Sequence, residues 1–273
     1  MQIPSPARVC LLAVLLVAGI TAAIPAAGQS NQSGEHIAVP EPREPAHPHS
    51  SGDLIFADLV RHNEIRNAGL REYSALRTYA VSDLNGKVRA KETIRMDYVA
   101  PEKKTFVTIA EEGSSVVRHL VLNRLMESEA SASAGQDHRD SSISPANYTF
   151  RLLGEEDLGP HRCFVVEALP RRRDKYLFEG KIWIESQDFA IVRIAGHPAK
   201  NPSFWIKRAD FVRQYEKIGD FWLPAGDQTF VEVRLYGKKI LSIEHDIDRV
   251  NGVTPAALVA QDPPAASLPE SRP

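Results

Sequence analysis

Between Tyr79 and Ile247 apolar and polar residues change places with a period of two, in short runs parted by polar turns. That period sends successive side chains to opposite faces of a strand. The runs predicted as strands are Tyr79–Asp83, Val88–Met96, Thr105–Ile109, Tyr148–Gly154, Cys163–Leu169, Lys181–Glu185, Ala190–Ile194, Phe204–Tyr215, Thr229–Tyr236 and Ile240–Ile247. Asn85-Gly86 marks a tight hairpin, because both residues accept positive φ. Arg139 to Ala146 reads as a polar loop. Strand following strand across short polar turns predicts an antiparallel meander rather than alternating β/α units.

Two hairpins can be given a register. A three-residue turn at Ser186-Gln187-Asp188 pairs Glu185 with Phe189. Ile182, Ile184, Ala190, Val192 and Ile194 then share one face, and Lys181, Glu185 and Arg193 share the other with Trp183 and Ile191. A two-residue turn would mix charges into the apolar set, and register follows burial. Asp188 is expected in the left-handed conformation that such a turn needs. Near Gly237 an odd turn likewise groups Val231, Val233, Leu235, Leu241, Ile243 and Ile247, with Glu232, Arg234, Ser242, Glu244 and Asp246 opposite. The sheet thus has one apolar and one wet face.

Two helical stretches interrupt the alternation. One opens the body, capped by Ser51 or Asp53, with Leu54, Ile55, Leu59 and Ile65 near one face and Gly69 just beyond its end. The other spans roughly Val116 to Ala134, with Val117, Val121 and Leu125 recurring every four residues and Gly135 ending it. The fold class is therefore mainly β with helices (α+β), and the two helices are available to cover the apolar face.

The ends differ in kind from this body. Met1–Gly28 reads as a secretory signal, with Arg8 before an apolar run from Val9 to Ile20 and small residues at Ala26 and Gly28, so the cut is expected between Gly28 and Gln29. As a helix that run spans only ~18 Å, short of a ~30 Å hydrocarbon core. Residues 29–51 form a Pro-rich linker and 252–273 a Pro/Ala-rich tail, both too polar or proline-dense to offset chain entropy. The foldable body is 52–251. Removing the signal takes Cys10 with it and leaves Cys163, so no internal disulfide is expected. The chain is expected in the periplasm, or secreted where no outer membrane exists.

Composition narrows the function further. Over 273 residues, 33 Lys+Arg against 35 Asp+Glu give a net charge of −2. With pI ≈ 6.5 there is no electrostatic footprint for nucleic acid. A hydrophobic fraction of 43% fits a packed globular core. No P-loop, dinucleotide-binding glycine turn or paired-histidine zinc motif occurs, and Gly113-Ser114-Ser115 lacks the second glycine of a nucleophile elbow. His245 falls on the apolar face while Glu244 and Asp246 point away, so adjacent residues there cannot converge on a metal or a proton. A buried, hydrogen-bonded histidine is the expectation. Cys163, with His161 and Arg162 near it, lacks an orienting partner for nucleophilic chemistry. No catalytic residue, metal or cofactor is assigned. The run Arg171-Arg172-Arg173-Asp174-Lys175 is either a solvated loop or, because guanidinium forks match phosphate, a contact for anionic lipid or an anionic partner through Arg171, Arg172 and Arg173.

The stretch YLFEGKIWIESQDFAIVRI from Tyr176 to Ile194, and the run PSFWIKRADFVRQYEKIGDFWLP ending at Pro224, resemble the LolA/LolB-like periplasmic lipoprotein-carrier superfamily, most closely its outer membrane lipoprotein-sorting protein branch. The resemblance covers roughly Leu54 to Asp248. It implies an unclosed antiparallel half-barrel whose concave face is covered by two helical segments and holds acyl chains. On that basis Ile182, Ile184, Val192, Ile194, Val231, Val233, Leu235, Leu241 and Ile243 are expected to line a hydrophobic cavity. Leu54, Leu59, Val121 and Leu125 would face them from the lid. The expected function is a non-enzymatic, monomeric binder or carrier of lipid or lipoprotein acyl chains, with peripheral membrane contact and an envelope protein as a further partner. The alternatives are an envelope-stress sensor of the same fold (RseB-like) and, more distantly, an esterase-like hydrolase.

Overall fold

The computed structural model describes residues 51–100, 103–123, 126, 142–201, 204, 206–234 and 237–259. The expected signal with its Gly28/Gln29 cut, linker residues 29–50, Leu125, Leu235 and residues 260–273 lie outside the described residues, as does the side chain of Val121.

Helix α1 (Ser51–Gly69) precedes strands β1 (Glu72–Asp83), β2 (Val88–Val99) and β3 (Lys103–Gly113). A short helix α2 (Ser115–Val117) runs into a π-helical turn, Arg118–Leu122. Then come β4 (Tyr148–Leu158), β5 (His161–Pro170), β6 (Phe178–Glu185), β7 (Ile191–Pro198), β8 (Ile206–Ile218), β9 (Phe221–Val233) and β10 (Gly237–Val250), closed by helix α3 (Pro255–Val259). The ten strands make one antiparallel sheet in the order β3-β2-β1-β10-β9-β8-β7-β6-β5-β4. Only β1 and β10 are neighbours out of chain order. The edges β3 and β4 do not pair, so the sheet is unclosed, as the resemblance implies.

Each predicted run lies within one of these strands or overlaps it, and most strands are longer than the alternation suggests. Gly86 takes φ 82° in the expected Asn85-Gly86 turn. Strand β9 begins at Phe221, eight residues ahead of the expected start, although Pro224 and Gly226 spoil its pattern. The pairing with β8 shifts between Gln214 and Tyr215, opposite those residues, and a bulge is where a strand tolerates proline. Past Asn251 the chain is not all tail: Leu258 of α3 packs on the cluster containing Ile218 and Val250.

The β9–β10 turn follows expectation. Val233 pairs with Gly237 and Leu241 with Thr229, which puts Val231, Val233, Leu241, Ile243 and Ile247 on one face. The β6–β7 turn does not. Phe189, not Asp188, takes the positive φ, at 47°. The Asp188 carboxylate is committed elsewhere, accepting from the Trp222 indole at 2.9 Å and pairing with Lys217 at 2.8 Å. Arg66 of α1 donates to the carbonyls of Asp188 and Phe189, holding the strained turn from the helix side. Trp183 pairs with Arg193 but Ile184 with Ile191, so Val192 is the extra residue of a β-bulge. The bulge moves Ile191 to the face of Ile182, Ile184 and Ile194 and sends Val192 to the reverse face with Trp183, Cys163 and Val165.

Helix α1 packs through Gly52, Phe56 and Leu59. Leu54 is 57% exposed and Ile65 is exposed too, which corrects their placement toward the sheet. Leu54 is two residues from Phe56, about 200° round a helix at 3.6 residues per turn. Gly52 is required by close approach: a Cβ there would sit 2.6 Å from the Phe150 carbonyl oxygen.

Candidate functional site

The covered face of the sheet has two parts. Under α1, strands β4–β7 and Phe211 build a filled core. The Phe56 ring stacks on Phe150 with centroids 3.9 Å apart, and the Tyr148 hydroxyl accepts from the Phe178 amide at 3.1 Å. Burial raises the Tyr148 pKa, so the hydroxyl stays protonated. Ile182, Ile184 and Ile194 belong to this core and lie fully buried in the cluster that holds Phe56 and Leu59. The close pairing of Gly180 with Gly196 leaves no room for side chains: a Cβ on Gly180 would lie 2.1 Å from the Ala195 carbonyl oxygen.

The second part spans β1, β2, β3, β8, β9 and β10. Leu241 and Ile243 cluster with Tyr79, Val81 and Ile94, and Leu122 of the π-helical turn covers them together with Val117 and Met126. Val231 and Val233 cluster with Ile206 and Ala209. Leu241 and Ile243 lie in the first of these clusters and Val231 and Val233 in the second; among the described residues Leu122, Val117 and Met126 cover the first, and residues 127–134 of the expected second helix lie outside the described residues.

A buried polar row crosses this face. Its residues sit at inward positions of neighbouring strands: Arg213 pairs with Asp227, Asp227 with Ile243, Ile243 with Tyr79 and Tyr79 with Glu92. The Arg213 guanidinium forms an ion pair with the Asp227 carboxylate. His245 Nε2 lies 3.3 Å from the other oxygen of Asp227. Arg77, opposite His245 on β1 and only 2% exposed, donates to the Tyr79 hydroxyl at 3.3 Å and lies 5.9 Å from the Phe106 ring centroid. Glu92, 1% exposed, accepts from the Thr108 hydroxyl at 3.1 Å.

The electrostatics of the row follow from burial. Burial by itself would raise the Asp227 carboxyl, but the Arg213 charge and His245 outweigh it and hold the carboxyl below its usual range. Burial would likewise lower Arg213, and the Asp227 charge reverses that. Burial of Glu92 pushes its carboxyl up, with the Glu111 charge adding to the shift and the Thr108 hydrogen bond opposing it. The expected buried histidine is thus present at His245. Arg77, Glu92, Arg213 and Asp227 were not singled out from the sequence. Each is a single charge at an inward position of its strand, as Arg77 is between Ala75 and Tyr79.

The other candidates fall elsewhere. Leu59 is buried on the packed side of α1, whereas Leu54 faces away. Arg171 donates to the Pro145 carbonyl at 2.8 Å and Arg172 to the Asn147 amide oxygen at 2.6 Å, so both hold the segment before β4 while remaining exposed. Arg173 is exposed beside them. Cys163 is buried, and burial with the Glu185 charge pushes its thiol up to about 11, so it is protonated near neutrality. Arg162 pairs with Glu155 at 2.6 Å and does not activate it. Among the described residues no cluster of three His, Cys, Asp or Glu side chains could hold a metal ion.

No protein-family model matches the chain, and no curated protein matches it. Solved structures do. A DUF1329 family protein from Desulfovibrio piger is 15% identical, with 77% of this chain and 97% of that one covered at a TM-score of 0.40. An outer membrane lipoprotein-sorting protein domain from Vibrio parahaemolyticus is 12% identical, with 74% and 94% covered at a TM-score of 0.41. A LolA superfamily protein from Nitrosomonas europaea is 9% identical, with 71% and 92% covered at a TM-score of 0.35. The chain is similar to LolA-like proteins.

Proposed function

We propose that the chain is an exported, non-enzymatic, monomeric binder of lipid or lipoprotein acyl chains in the periplasm, and that the second part of the covered face takes the acyl chain. One observation carries this reading: on the covered face of an unclosed sheet, apolar side chains at Val231 and Val233 and at Leu241 and Ile243 flank a buried polar row. An apolar chain with a polar end fits such a surface. A sixteen-carbon chain fully buried would gain at most ~13 kcal/mol at ~0.8 kcal/mol per CH₂. Ordering the ligand offsets part of that gain. The protonated Cys163 thiol and the commitment of His245 to Asp227 support a binder rather than a hydrolase.

The test is native mass spectrometry of protein purified from membranes, together with titration of a fluorescent fatty acid. A bound lipid mass and saturable binding are expected. Ile243→Asp should weaken binding at least about tenfold, since a buried charge is costly. Leu54→Asp, on an exposed position, should leave binding unchanged. A bare polypeptide mass with no fatty-acid binding would defeat the proposal.

A further inference from the structure

The strand order places the connections β1–β2, β5–β6, β7–β8 and β9–β10, and the start of α2, at one end of the sheet. Asp83 pairs with Lys239, Ile206 with Val233, and Tyr148 with Pro170, which ties these turns to a common rim. The rim is rich in exposed cationic residues: Lys87 in the first connection, Arg171, Arg172 and Arg173 in the second, Lys200 in the third and Lys238 after the fourth. Of the acids there, Asp83 bridges Lys239 at 2.7 Å and pairs with Arg89, Asp174 lies 3.7 Å from Arg172 and Glu112 3.8 Å from Lys91, and Glu179 is exposed. The same rim carries exposed apolar side chains, Leu84, Val88, Val116 and Phe204, the last 75% exposed. Arg234 fixes the Phe204 segment, donating to its carbonyl at 2.8 Å with its guanidinium 4.8 Å from the ring centroid. The opposite end of the sheet carries Glu155, Glu156 and Asp157 before the β4–β5 turn, Asp188 in the β6–β7 turn and Asp220 in the β8–β9 turn, with Arg162 paired to Glu155, Lys217 paired to Asp188, and Arg71, Lys103 and Arg249 exposed beside them.

From this polarity we infer that the basic, apolar-tipped rim docks on an anionic lipid surface. Lys and Arg near a bilayer are attracted by its negative potential within a Debye length, and exposed apolar tips enter the headgroup boundary. No described helix is long and apolar enough to cross a membrane. The inference rests on the placement of the connections and does not require a bound acyl chain. It joins Arg171–Arg173 to three other turns that the sequence leaves far apart.

The test is co-sedimentation with phosphatidylcholine vesicles, with and without phosphatidylglycerol. Binding should need the anionic lipid and fade as salt rises. A triple variant, Lys87→Glu with Arg173→Glu and Lys238→Glu, should lose at least about tenfold in binding. Phe204→Ser should lose about threefold, through the apolar contact. The matched triple at the other end, Arg71→Glu with Lys103→Glu and Arg249→Glu, changes net charge equally and should bind as the parent does. Circular dichroism checks that both triples fold. Equal losses in the two triples, equal binding to neutral vesicles, no binding to anionic vesicles, or capture only of an acidic polypeptide would each overturn the inference. Fatty-acid titration of the same proteins reads acyl binding separately, so the two proposals can fail independently.

Discussion

The two parts of the covered face use the same alternation to opposite ends. Beneath α1, Phe56, Phe150, Tyr148 and Phe178 interlock with Ile182, Ile184 and Ile194, and each is essentially buried. Across β8, β9, β10, β1 and β2 the inward positions instead admit Arg213, Asp227, His245, Arg77 and Glu92. A region built only for stability has no need of buried ions, whose desolvation cost can exceed their mutual attraction. The first part is scaffold. The second keeps polar groups at the centre of an apolar surface, which suits recognition of an amphiphile.

The contrast can be broken from either side. Phe56→Ala removes the ring stacked on Phe150 and should cost about 4 kcal/mol in denaturant unfolding while leaving fatty-acid affinity of the folded protein unchanged. Asp227→Ala strips the Arg213 ion pair and should cost about 3 kcal/mol, with ligand affinity lost as well. If both variants behave alike in binding, the division between scaffold and site disappears.

The pH dependence sharpens the same contrast. The Asp227 pKa is depressed in the fold, so its contribution is present above the unfolded carboxylate range and is lost as pH falls through the folded value. Glu92 is raised, so its contribution is present at low pH and is lost as pH rises through its folded value. Glu92→Gln should therefore gain stability over the parent as pH rises from acid toward neutral, and thermal melts across that range check the sign. A gain in acid instead would contradict the burial argument. The smallest effect is at Leu54: Leu54→Ala should change stability by no more than about 0.5 kcal/mol, measured by the same unfolding curves.

How much of this could be read in the sequence depends on whether a local period carried it. The meander, the Asn85-Gly86 turn and the β9–β10 register followed from alternation and turn chemistry. The β6–β7 register did not, because the side chains that settle it come from far along the chain: Arg66 on α1, and Lys217 and Trp222 at the β8–β9 turn. Val192 changed face through a bulge that no period of two can express. Leu54 faces solvent because Phe56, about 200° away round the helix, is the residue that anchors α1 to the sheet. The polar row was hidden for a different reason. Each of its members is one charge in one strand, and only the strand order makes Arg213, Asp227 and His245 neighbours.

The central claim is that an acyl chain enters the second part of the face and not the first. It is tested most directly by methyl NMR of isotope-labelled protein titrated with palmitate. The account predicts saturable shifts at Val231, Val233, Leu241 and Ile243, with Ile182, Ile184 and Ile194 unmoved. Shifts confined to the isoleucines beneath α1, or none at either place, would contradict it.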